Sequence, residues 1–137
     1  MQGKPEDHTP DQVEALARYV VSVSKSHQPD APVFLIEVTP TSKRYSAWPA
    51  IRKVNARLRE IALSTPNTHF IATAEHYLDP DRKPRDELFV SDRLHLNEAG
   101  YDQWATLIRR RISETFEFKS EFEAKAGAAA ANESSGK

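Results

Sequence analysis

Val33-Phe34-Leu35-Ile36-Glu37-Val38 places five apolar side chains in six positions without alternation. A strand wet on one face alternates apolar and polar residues, so this run reads as a strand buried on both faces inside a parallel sheet. Pro40 ends it, and Pro29-Asp30-Ala31-Pro32 ahead of it is a turn that a helix cannot cross. Further upstream, Thr9-Pro10-Asp11-Gln12 marks a helix start. Thr9 caps, Pro10 fits the first helical position, and Gln12 reaches back to close a capping box. Val13, Leu16, Ala17 and Val20 follow at helical spacing and predict the packed face of a helix ending near His27.

Downstream, a second helix from about Tyr45 to Leu63 carries Ile51, Val54, Leu58 and Ile61 on one stripe. Arg52, Lys53, Arg57, Arg59 and Glu60 fall mostly outside that stripe and read as a solvated face, while Asn55 lies within it and is expected to hydrogen-bond inside the domain. Thr65-Pro66-Asn67 turns the chain into a second strand, His69 to Ala74, which completes a strand-helix-strand unit. Glu75 to Val90 is too long and polar for a plain connection and reads as a working loop. Asn97 then caps a last helix, with Glu98 at the positive end of the dipole and Leu96 placed to staple onto Tyr101. Tyr101, Trp104, Ala105, Ile108 and Ile112 predict its buried face. Arg109, Arg110 and Arg111 near its carboxyl end suit the dipole without any ligand.

Residues 117 to 137, EFKSEFEAKAGAAAANESSGK, offer only Phe118 and Phe122 for burial and read as a disordered low-complexity tail. Of the 137 residues, 1–116 therefore remain for one modest folded body. With 19 Lys and Arg against 20 Asp and Glu, the net charge of −1 gives no electrostatic case for a nucleic-acid binder. No apolar run reaches the length of a membrane span, and Met1 to Pro10 is too polar to begin a secretory signal, so a soluble chain is expected. The absence of Cys removes disulfides, thiol nucleophiles and Cys-ligated zinc from consideration.

Two parallel strands cannot bury residues 33–38 on both faces and both edges, and the first helix lacks the preceding strand that a right-handed crossover requires. The expectation is an α/β chain whose N-terminal strands are missing: either the C-terminal part of a larger domain, or one half of an assembly in which a partner supplies the remaining strands.

Chemistry concentrates in Ser91-Asp92-Arg93-Leu94-His95-Leu96-Asn97, at the end of the long loop and just before the last helix. Asp92 and His95 are three apart, so in a turn their side chains meet, and a carboxylate on imidazole Nδ1–H is what a general base needs. Eight Asp and five His in 137 positions give about 0.3 such spacings by chance, so the pair alone is unspecific. The longer string Phe89 to Trp104, however, resembles the closing Asp-x-x-His-Leu-Asn-x-x-Gly-Tyr motif of the GDSL/SGNH hydrolases. The resemblance extends over about residues 9 to 116, through Val38-Thr39-Pro40, Arg44, Trp48, Asn55 and the Lys83-Pro84 loop.

That resemblance implies a flavodoxin-like parallel sheet with flanking helices, and carboxylic-ester hydrolysis on acyl esters, acetylated sugars or lipids. Asp92 would orient His95, and His95 would take the proton of an attacking serine. The chain departs from the family pattern in its nucleophile: Gly-Asp-Ser is absent, as are the separate glycine and the Gly-x-Asn-Asp that complete the oxyanion hole. Gly3 lies near where the last of these would end, without reproducing it. Ser22, Ser24 and Ser26 fall on a helix, Ser42, Ser46 and Ser64 in or beside loops, and Ser91 immediately beside Asp92.

Lys43, Arg44, Tyr45 and Trp48 follow the carboxyl end of the first strand, where open α/β sheets place ligands, and Arg44, Tyr45 and Trp48 are the candidate substrate-binding residues. His76 with Glu75, and His8 with Asp7 and Asp11, lack metal-site spacing with a further ligand, so no metal is expected. Four Gly and no glycine-rich loop point to no nucleotide, and no organic cofactor is implied. Two readings remain: half of an ester hydrolase, inactive by itself, or a non-catalytic remnant serving as a binding or oligomerisation module. The open strand edge gives either one a homodimer or a missing-half partner.

Overall fold

The computed structural model describes residues 8–136. The readings placed on Gly3 and Asp7 lie outside the described residues. Five main elements run in the order α1 (Pro10–His27), β1 (Val33–Ile36), α2 (Trp48–Ser64), β2 (Thr68–Ile71) and α3 (Glu98–Ser135), with short 3-10 turns at Ser42–Ala47, Ala74–Tyr77 and Asp86–Leu88. The chain divides into two compact units, Met1–Asp102 and Gln103–Lys137.

In the first unit, α1 starts as its sequence directs. Gln12 N donates to Thr9 Oγ1 at 3.2 Å, and Thr9 N donates to Gln12 Oε1 at 2.8 Å. Val13, Ala17 and Val21, four apart, pack with Val54, Leu58 and Ile61 of α2. Leu16 and Val20, expected on this face, are instead 54% and 59% exposed. The helix is apolar over a wider arc than α2 can cover, and its periodicity alone cannot say which side of the arc is covered. Polar groups agree with the observed side: Arg57 of α2 bonds Asp11 at 3.0 Å and also pairs with Glu14. Hydrogen bonds from Arg18 and then Arg57 hold the Glu14 carboxyl below its usual range.

β1 and β2 pair in parallel, from Val33 opposite Thr68 to Ile36 opposite Ile71. Strand alternation turns Val33, Leu35 and Phe70 toward the two helices, while the rings of Phe34 and His69 lie 5.2 Å apart on the other face. The product is a partial α/β fold, a two-stranded parallel sheet flanked by helices. β1 is shorter than expected because the Asn55 amide takes over from the ladder at Val38. Val38 N donates to Asn55 Oδ1 at 2.8 Å, and Asn55 Nδ2 donates to Val38 O at 3.1 Å. All four residues of β1 are half-buried, where burial on both faces was expected. Among the described residues, no strand lies along its second edge.

α2 begins at Trp48 rather than Tyr45 because Pro49, with no N–H to donate, suits a first helical turn and closes off the preceding 3-10 segment. The long loop is folded rather than loose: Tyr77, Leu78, Leu88 and Phe89 are buried. Tyr77 is fully enclosed, its hydroxyl donating to Gly100 O at 2.8 Å, and burial pushes the phenol up to about 12. Leu96 lies against Gly100, while Tyr101, its expected staple partner, is 52% exposed.

In the second unit, residues 117–135 continue α3 as helix, where the composition suggested a disordered tail. Low apolar content removes burial but not local propensity: Ala126, Ala128, Ala129, Ala130 and Ala131 are the best helix formers, and the Glu and Lys residues among them cost little. Phe118 and Phe122 remain exposed.

A Cβ added at Gly100 would lie 2.2 Å from the Leu88 carbonyl oxygen, a backbone atom that cannot swing away. Gly100→Ala is therefore expected to destabilise the first unit by about 2–3 kcal/mol. Tyr77→Phe, which removes the hydroxyl's bond to the Gly100 carbonyl, is expected to cost about 1 kcal/mol. Urea midpoints measure both, and a Gly100→Ala midpoint equal to wild type would contradict the close approach.

Candidate active site

The loop between β2 and α3 is fastened at its start by Glu37. The Glu37 Oε2 atom accepts from Thr73 N and Ala74 N at 2.8 Å each, and Thr73 Oγ1 donates to Glu37 O at 3.3 Å. Farther along, a bridge joins Leu78 to Pro84 and Arg85 N donates to Tyr77 O at 2.9 Å. A second bridge, Phe89 to Leu96, then closes off residues 90–95 as a tight turn. Val90 N donates to His95 O and Arg93 N to Val90 O, both at 2.9 Å. Arg93 takes the left-handed conformation, with φ 55°, that the reversal requires.

Within this turn Asp92 is bonded through both carboxylate oxygens. Its Oδ1 accepts from Leu94 N at 2.9 Å and His95 N at 3.0 Å, the local pattern by which Asp organises a turn. Its Oδ2 lies 2.6 Å from His95 Nδ1. Those bonds, from the ring first and then the two backbone N–H groups, lower the Asp92 carboxyl from 3.8 to about 2. With Nδ1–H given to Asp92, the His95 Nε2 atom is the basic nitrogen, and it makes no hydrogen bond among the described residues. The imidazole is 69% exposed and the Asp92 side chain 41%. The arrangement fixes the imidazole tautomer and leaves Nε2 without a hydrogen bond among the described residues.

Three fastenings outside the pair hold the turn. Asn97 Nδ2 donates to Glu87 O at 2.8 Å and Phe89 O at 3.3 Å, while Asn97 Oδ1 caps α3 by accepting from Gly100 N at 3.0 Å. Lys43 N donates to Arg93 O at 3.1 Å. Ser42 Oγ donates to Asp86 Oδ1 at 2.5 Å, and Asp86 Oδ2 faces Arg93 Nε at 3.7 Å. The cap at Asn97 was legible in the sequence. The roles of Ser42, Lys43 and Asp86 were not, since they join residues more than forty positions apart and leave no local signature.

The candidate substrate-binding residues go to separate places. Arg44 is exposed on the 3-10 turn, and Tyr45 donates its hydroxyl to Arg82 O at 3.2 Å. Trp48 is buried with Ala47, Ile51, Ala74 and Leu78, and it lines a cleft along α2 to which Asp92 and His95 do not contribute. His76 and Glu75 belong to no group of three or more potential metal ligands, and no helix among the described residues is long and apolar enough to cross a membrane.

Asp92 and His95 thus form a carboxylate-held imidazole on a turn before a capped helix, at the end of an α/β segment. The model of the GDSL-like lipase/acylhydrolase family matches residues 3–103, and the chain belongs to that family, whose substrates are esters. No curated protein matches the chain.

Because the Asp92 carboxyl is lowered on folding, its contribution to stability is complete above the unfolded value near 3.8 and disappears as pH falls through about 2. The difference in urea midpoint between wild type and Asp92→Asn is expected to hold from neutral pH to about 4 and to shrink steadily toward pH 2. A difference that stays constant over that acid range would show that the Asp92 bonds do not support the turn.

Proposed function

We propose that this chain contributes the Asp92–His95 half of a Ser-His-Asp ester-hydrolysing site, and that the attacking serine and oxyanion-hole donors come from polypeptide beyond the described residues. The 2.6 Å Asp92–His95 contact, with Nε2 left free, carries this reading. His95 Nε2 takes the proton as the serine oxygen attacks the ester carbonyl, and returns it to the leaving alcohol. Asp92 holds the ring's orientation and balances the imidazolium charge. Without a nucleophile and aligned oxyanion donors the pair has nothing to activate, so the isolated chain has negligible esterase activity.

A second reading is favoured by the unpaired edge of β1 and by the exposed Leu16, Tyr19, Val20 and Val23 of α1. In it, the chain is a non-catalytic remnant that uses this surface for binding or oligomerisation.

Purified alone, the 137-residue chain is expected to hydrolyse aryl acetates no faster than its His95→Ala variant. Recovered from its native cells by a tag at the carboxyl end, the native species is expected to turn over esters and to lose about a thousandfold or more in kcat with His95→Ala. His95-dependent turnover by the chain alone would overturn the claim that the serine lies elsewhere. A native species without ester turnover, carrying this chain as a stable dimer, would instead establish the remnant.

A further inference from the structure

α2 presents Trp48, Arg52, Asn55 and Arg59 along one face, and that face forms a wall of a cleft of about 240 Å³. Glu37 at the end of β1, with Glu75 and Arg82 of the long loop, lines the same space. Three guanidinium groups thus meet two carboxylates there, and both carboxylates are already engaged. Glu37 accepts two backbone N–H groups at 2.8 Å. Glu75 pairs with Arg82 at 2.6 Å, and that bond holds its carboxyl below the usual range. The Asn55 amide is committed to Val38 on both its atoms.

Arg52 also helps to hold the Glu75 carboxyl down by its charge, but neither it nor Arg59 has a carboxylate in ion-pair contact among the described residues. The Arg59 guanidinium carbon lies 5.1 Å from the centre of the Phe70 ring, within cation–π range. A guanidinium over a ring face keeps N–H groups available for planar or tetrahedral oxyanions. Arg52 and Arg59 are both exposed at the mouth of the cleft, beside the buried Trp48 indole. At about 30 Å³ per water-sized group, the cleft admits about eight such groups, the size of a small organic acid or a phosphate.

We propose that this cleft is a binding site for a small oxyanion, a carboxylate or phosphate, held by Arg52 and Arg59 against Trp48. The site is separate from the Asp92–His95 pair and does not depend on the ester-hydrolase reading. Arg52 and Arg59 supply the charge-assisted bonds, and the Glu75–Arg82 pair lines the same cleft.

The test follows the Arg Nε–H resonances of the full chain by NMR while inorganic phosphate or acetate is added at constant ionic strength. Saturable millimolar shifts are expected at Arg52 and Arg59, with none at Arg109 on α3. Arg52→Gln and Arg59→Gln are each expected to weaken binding by about tenfold or more, while preserving the dispersed spectrum of the folded chain. Tighter binding of phosphate assigns the site to phosphorylated ligands, and tighter binding of acetate assigns it to organic acids. Shifts that do not saturate, that appear equally at Arg109, or that persist in both variants would show ordinary surface screening and overturn the proposal.

Discussion

The Leu88 carbonyl oxygen sits so close to residue 100 that only glycine fits there, and the site is built on that approach. It brings the start of α3 against the buried part of the long loop, where Tyr77 donates to the Gly100 carbonyl and Asn97 bonds back to Glu87 and Phe89. Between the two sides the chain must reverse within six residues, and the reversal places Asp92 and His95 in contact. The catalytic candidates thus occupy a tight turn clamped at its base by backbone contacts, which lets an exposed imidazole keep a defined direction.

Within that turn one carboxylate serves two purposes. Through Oδ1 Asp92 stabilises the backbone reversal, and through Oδ2 it holds the imidazole, so the geometry of the base and the fold of the loop are not separable. The same economy appears at Glu37, which anchors the other end of the loop to the end of β1 through backbone N–H groups. Buried or half-buried acceptors that pair with main chain in this way keep connecting segments ordered where no ladder extends.

The sheet shows the opposite condition. β1 is paired on one edge, half-buried throughout, and flanked by a helix whose exposed face carries Leu16, Tyr19, Val20 and Val23. The apolar side chains of that helix face stay open to solvent beside a strand edge that no other strand covers among the described residues.

What the sequence determined by itself was local: the Thr9 capping box, the turn at Pro29 to Pro32, the strand-helix-strand unit, the Asn97 cap, and the spacing that lets Asp92 meet His95. Each rests on bonds between residues a few positions apart, or on a period that reports an element's type. Tertiary structure decided which arc of α1 is covered, why Gly100 is a glycine, that Asn55 ends β1, and that Ser42, Lys43 and Asp86 hold the turn that carries Asp92 and His95. Those outcomes depend on contacts between residues distant in the chain. A helix that is apolar over a wide arc, or a polar side chain with several open bonds, has no preference among them until packing brings a particular partner within reach.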